Sequence, residues 1–203
     1  MERPVFVMIA RTNTAMGGLV KHFTKGYYNH AAITFSPDLT RLYSFSRYYV
    51  NTPNVGGFVI ENPARYLSEE EPTPIKLYML PAEDEDYKSL RRKIDGFIKN
   101  KKKYIYDTFG AISAQKGKPK KIKDAYTDVT FVAHILEMKN VYTIEQLEKA
   151  LEHYRVYTGT IQKYLKGEYE CDEVYYERQS IGRVLYGTVS HFARLAKRSL
   201  FDK

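Results

Sequence analysis

Apolar and polar positions change their period along the chain, and the changes mark out the elements. "PVFVMIA" (4–10) is an unbroken β-rich apolar run, the pattern of a strand covered on both faces. Met16, Leu19, Val20 and Phe23 then recur at helical spacing, with Gly26 as a stop. "NHAAITFS" (29–36) and "RLYSFSR" (41–47) read as two strands joined by the turn chemistry of "SPDLT", and Gly56-Gly57 opens a third strand over Phe58–Glu61. "IKLYML" (75–80) is a further strand. After Pro81 the period becomes helical. Tyr87, Leu90, Ile94, Phe97 and Ile98 share one face of a helix with acids at its start and bases toward its end. "YIYDTFGAISAQ" reads as a shorter helix, and "DVTFVAHILEM" as another running from Asp128 to Met138. Thr143 and Gln146 form a capping box that opens the helix "IEQLEKALEHY". A last amphipathic helix is predicted across Ile181–Leu200, with Val184, Leu185, Val189, Phe192, Leu195 and Ala196 on its stripe. One strand and helix, a group of antiparallel strands, then helices is an α+β order, not a doubly wound one. No glycine-rich phosphate loop follows a strand, so nucleotide chemistry has no support.

Composition narrows this further. A chain of 203 residues, 43% of them apolar, is the size of one domain, here expected at 1–165 with a helical extension over 166–203. Aromatic content is skewed to 19 Tyr and 10 Phe with no Trp, which puts many half-polar rings at the rim of a core or cleft. The net charge of +8 is concentrated in "KNKKKY", "KGKPKKIK" and "RLAKRSLFDK". It reads either as solvated lysine faces or as attraction to an anionic partner, such as nucleic acid, a peripheral phospholipid surface or a cell-wall polymer. No zinc-finger spacing or single-strand-binding signature favours nucleic acid. The one cysteine, Cys171, excludes an intrachain disulfide, and its neighbours Glu170 and Asp172 disfavour a thiolate there. No apolar run reaches membrane-spanning length and the first residues lack a signal-peptide pattern, so a cytoplasmic location is the expectation.

Topology brings three chemistry-bearing residues toward one another. His30 starts a strand, Ser44 lies in the strand paired with it, and Asp128 stands at the N-terminus of a helix that follows the sheet. A helix N-terminus facing a histidine on a sheet is an arrangement that activates thiol nucleophiles, with a polar neighbour fixing the imidazole tautomer. In detail, Asn29-His30, Ile33, Tyr43-Ser44-Phe45, Arg47, Gly56-Gly57-Phe58 and Glu61, in that order, resemble the circularly permuted branch of the NlpC-type papain-like cysteine peptidases and amidases. "YTDVTFVAHIL" (126–136) resembles that family's nucleophile motif, "[YF]-T-C-x-x-F-V-A-x-x-L", with Asp128 where the family has cysteine. "TIEQLEKALEHYRVYTGTIQKYL" (143–165) is similar to its tail.

The resemblance implies a papain-like fold in permuted order, hydrolysis or transfer at an amide or ester bond, no metal and no cofactor. It puts His30 in the place of the general base, Asp128 in the nucleophile's seat and Ser44 in that of the orienting residue, with Ser46 or Arg47 as alternatives for the last. Arg47, Tyr27 and Tyr126 are the expected substrate-binding residues, Arg47 through bidentate contact with a carboxylate. The implied substrates are peptides, cell-wall fragments or lipid-like molecules; the oligomeric state stays open. Taken alone, Asp128 reads as an N-cap. In the nucleophile's seat it removes the thiolate and pairs with His30. That makes the chain a disabled hydrolase, a binding pseudoenzyme, the carrier of an introduced replacement, or a carboxylate put to other chemistry. His134 points to another face of the same helix and reads as structural. The lysine loop 116–123 reads as an exposed loop or as a lid that draws in an anionic substrate.

Overall fold

The computed structural model describes residues 3–12, 27–67, 71–166, 169 and 173–201. The helix predicted around Met16–Phe23 and Cys171 lie outside the described residues. Six strands form one antiparallel sheet in the order β4-β3-β2-β1-β5-β8: β1 (Arg3–Ala10), β2 (His30–Thr34), β3 (Leu42–Arg47), β4 (Gly56–Glu61), β5 (Pro74–Ala82) and β8 (Arg155–Thr160). Two further short strands, β6 (Ile105–Tyr106) and β7 (Ala125–Tyr126), pair in parallel. The helices are α1 (Asp84–Lys99), α2 (Thr108–Gln115), α3 (Asp128–Ile135), α4 (Ile144–Leu151), α5 (Ile161–Tyr164), α6 (Glu173–Tyr176) and α7 (Ile181–Phe201). The α+β class expected from the residue pattern is therefore present.

The unbroken apolar run of β1 has a direct cause. Val5, Val7 and Ile9 enter the core shared with α1, α3 and α4, while Phe6, Met8 and Ala10 enter a second core with Leu42, Leu77 and Ile161. A strand covered on both faces has no polar side to alternate with. Gly56 and Gly57 answer to close approach rather than to a turn. A Cβ on Gly56 would meet the Ser46 carbonyl, and one on Gly57 would meet the Tyr48 hydroxyl and the Tyr104 carbonyl.

Three expectations are corrected. The helix expected over "IEQLEKALEHY" is shorter, because α4 stops at Leu151 and a 3-10 turn covers Glu152–Tyr154; "RVYTGT", which had no element assigned, then pairs with β5 as the edge strand β8. "YIYDTFGAISAQ" divides into β6 and α2, with Asp107 capping α2 by accepting from the Gly110 N–H. On α7 the buried residues are His191 and Leu195, whereas Leu185 and Val189, assigned to the buried stripe, are exposed.

Candidate functional site

The segment "TDVTF" folds as a helix start because two threonines close a capping box. Thr127 Oγ1 accepts from the Thr130 N–H at 3.0 Å, and Thr130 Oγ1 accepts from the Thr127 N–H at 2.8 Å. Thr127, not Asp128, is thus the N-cap, and the expected capping role of Asp128 is corrected. Relieved of that role, the Asp128 side chain turns to the sheet. Its Oδ2 accepts from the Ala31 N–H at 2.9 Å and lies 3.2 Å from His30 Nδ1. β2 pairs with β3 at Ile33 opposite Tyr43, and toward His30 the helix supplies the acceptor that Ala31 needs. Asn29 ties the entry of β2 to the exit of β1: its side chain accepts from the Thr12 N–H and donates to the Thr12 carbonyl, both at 2.8 Å.

The other imidazole nitrogen meets an acid as well. His30 Nε2 lies 3.1 Å from Glu61 Oε2. The residue that orients the ring is Glu61 at the end of β4, and the expectation of Ser44 is corrected. Ser44 and Glu61 occupy the same face of the β3–β4 ribbon, opposite Val59 and Leu42 respectively. The longer side chain reaches the ring, while Ser44 Oγ is buried without a hydrogen-bond partner. The alternatives Ser46 and Arg47 do not hold that place either. Local sequence explains how Glu61 is held. Asn62 caps a 3-10 turn over Pro63–Tyr66 by accepting from the Ala64 N–H, with Pro63 at a position where its fixed φ suits the turn. The turn brings the Tyr66 hydroxyl back to donate to Glu61 Oε2 at 2.5 Å, and Arg65 Nη1 to 3.7 Å from Glu61 Oε1.

The electrostatics follow from this arrangement. Burial alone would lower the His30 pKa, but it is outweighed by the Glu61 charge together with the hydrogen bonds to Asp128 and Glu61, and the pKa rises to about 10. Burial pushes Glu61 up; the His30 charge and hydrogen bond, the Arg65 charge and the Tyr66 hydroxyl outweigh it and hold Glu61 near 2. Burial and the Glu61 charge keep the Tyr66 phenol far above its ordinary value, so it remains a donor. At neutral pH His30 is an imidazolium whose two N–H groups each point at a carboxylate. It has no lone pair to take a proton from a substrate or a water. Among the described residues no group of three or more His, Cys, Asp or Glu side chains is arranged to hold a metal.

The expected substrate-binding residues fall in separate places. Arg47 presents Nε and Nη2 to the Tyr175 hydroxyl at 2.8 and 2.5 Å, so α6 fills the fork expected to take a carboxylate. Arg65 stacks over the same Tyr175 ring, 4.2 Å from its centroid. Tyr27 is exposed, with the Arg11 guanidinium 4.5 Å from its ring centroid. Tyr126 packs on Phe45, Phe97, Tyr104 and His134 and lines a cavity of about 540 Å³. Thr130, Ala133 and His134 of α3 line that cavity too, on the side of the helix turned away from Asp128. Lys120, Lys121 and Lys123 of the lysine loop line it as well, and His30 does not. His134, expected to be structural, packs its ring against Phe97 and Tyr126; burial, with help from Lys93 and Lys121, lowers its pKa.

Glu61, Tyr66 and Asn29 are the parts of the site that residue-type reasoning left without a role. Glu61 carried a signal: an acid closing an otherwise apolar strand, "GGFVIE", needs a buried partner. No family model matches the chain, and no curated protein or solved structure matches it.

Proposed function

We propose that this chain is a pseudo-hydrolase: a relative of the permuted NlpC-type papain-like hydrolases that keeps the charged constellation of the site as a rigid element and binds its ligand without acyl transfer. The ligand class is a peptide, cell-wall fragment or lipid-like molecule. The observation that carries the reading is the double engagement of His30, with Asp128 on Nδ1 and Glu61 on Nε2. A carboxylate in the nucleophile's seat cannot form a thioester, and it holds the neighbouring imidazole in the cationic state. The order of motifs from Asn29 to Leu136 and the placement of Asp128 at the first turn of α3 beside His30 support the family reading.

The test is Asp128→Cys made together with Cys171→Ser, so that the only thiol is the introduced one. This protein is expected to be acylated by an activated ester probe, with labelling lost on His30→Ala. The parent chain is expected to turn over neither esters nor amides. Turnover by the parent chain that disappears in Asp128→Asn would overturn the proposal, since it would make the carboxylate itself reactive. An unlabelled but folded Asp128→Cys protein would remove the family assignment of the seat.

A further inference from the structure

α7 has three faces rather than two. Leu195 packs into a small core with Ile105, Ile122 and Ala125, and His191 is buried one turn before it, its ring hydrogen-bonded to the Tyr106 backbone. A second, apolar face is open. Ile181 is 81% exposed, Leu185 62%, Tyr186 78%, Val189 69% and Leu200 68%, all within an arc of roughly 140° at 100° per residue. Beyond this arc the helix turns basic, with Arg183, Arg194 and Lys197 exposed, and no acid occurs between Ile181 and Phe201. Isolated exposed apolar residues are ordinary, but a continuous stripe of this kind is the mark of an interaction surface.

The surroundings extend the positive charge. Arg194 donates to the Lys102 carbonyl, Arg198 to the Lys103 and Asp124 carbonyls, and Lys120 Nζ to Ser199 Oγ. The end of α7 is thereby seated between Lys101–Lys103 and the lysine loop, where Lys101, Lys102, Lys118, Lys121 and Lys123 are exposed. Asp124, the acid in this cluster, is paired with Lys103 at 3.0 Å. No described helix is long and apolar enough to cross a membrane. An apolar stripe bordered by arginine and lysine suits a helix that lies in the plane of an interface.

We propose that α7 is a membrane-surface helix. Its Ile181–Leu185–Val189 stripe enters the headgroup boundary of an anionic phospholipid bilayer, and the surrounding cations hold the lipid charges. A second copy of the chain is a poor occupant, because a two-fold contact through this face would set two acid-free basic helices against each other. Nucleic acid would use the cations but leave the apolar stripe in water.

The absence of tryptophan gives a direct test. Leu185→Trp places a single indole on the open face, and circular dichroism checks that the helix content is unchanged. The proposal expects a blue-shifted emission with phosphatidylcholine vesicles containing roughly a third phosphatidylserine, and none with phosphatidylcholine alone. Arg183→Gln and Lys197→Gln are each expected to weaken partitioning about fivefold, Val189→Glu to abolish it, and added salt to reduce it. An unshifted emission with both vesicles overturns the proposal. So does co-sedimentation without a shift, which would be charge alone, and so does a concentration-dependent dimer that Val189→Glu dissolves. Salt-sensitive retention on RNA without vesicle binding would assign the patch to nucleic acid instead.

Discussion

His30 and His191 are buried to nearly the same degree, 8% and 4% exposed, yet their rings are pushed to opposite charge states. Burial lowers both. At His191 it is met by one ring hydrogen bond to the Tyr106 backbone, with Arg194 and Arg198 adding to the lowering, and the pKa falls to about 4. Its Nε2 has no hydrogen-bond partner. At His30 two carboxylates, one on each nitrogen, reverse the sign and raise the pKa to about 10. The same side chain therefore serves as a neutral core ring on α7 and as the fixed cation of the site on β2. Acids within hydrogen-bond reach decide between the two, not depth.

Removing one acid from His30 is the strongest way to break this contrast. Glu61→Ala leaves the imidazolium, Arg65 and the Tyr66 hydroxyl without their shared partner. Losing one partner of a buried charged pair costs about 3 kcal/mol or more. Urea unfolding at pH 7 is expected to show that loss, and nitrogen chemical shifts should show the His30 pKa falling toward its ordinary range. A double-mutant cycle with His30→Ala measures the coupling. A loss under 1 kcal/mol would mean that Glu61 does not set the state of the ring.

The pH profile separates the two histidines by sign. His30 is raised on folding, so its stabilisation is complete below the unfolded value near 6.5 and is lost as pH climbs through about 10. Glu61 is lowered on folding, so its share is present above its unfolded value near 4.5 and is lost as pH falls through about 2. His191 is a base lowered on folding. Between about 4 and 6.5 the unfolded chain holds the extra proton, and stability is lost as pH drops. A folded pKa near 4 corresponds to a loss of about 2 kcal/mol by pH 5. His191→Phe, which fills the space without a titrating nitrogen, is expected to flatten this acid limb and leave the alkaline limb intact. An acid limb of unchanged slope in His191→Phe would show that His191 is not neutral in the fold.

How far the sequence revealed these sites depends on the range of the forces involved. β1 announced itself, because a strand buried on both faces has to be apolar throughout. The capping boxes at Thr127 and Thr143 concern three or four neighbouring residues, and Thr143–Gln146 was readable directly. His30 and Asp128 were placed together by topology, and then by the resemblance in motif order, although they are 98 positions apart. Glu61 was visible as an acid in an apolar strand but was not assigned, because its contact with His30 depends on the geometry of three strands. Ser44 was favoured in its place, with Ser46 or Arg47 as alternatives. The open face of α7 was misread for a related reason: helical periodicity finds an apolar stripe but cannot say which of two stripes meets the core. Leu185 and Val189 satisfied the pattern, and His191 took the buried position.

The smallest expected effect tests the assignment of the imidazole partner itself. Ser44 is fully buried and its hydroxyl has no hydrogen-bond partner, so Ser44→Ala removes a desolvated group without breaking a bond. The change in unfolding free energy should be about 0.5 kcal/mol or less, of either sign, since a small cavity offsets the relief of the hydroxyl. The His30 pKa should not move, in contrast to Glu61→Ala. A downward shift of His30 in Ser44→Ala, measured by nitrogen chemical shift across the alkaline range, would instead make the serine part of the network. Because Ser44 and Glu61 share one face of the same strand pair, the two variants differ in charge and reach while touching the same wall of the site, and their difference isolates what the carboxylate does to the ring.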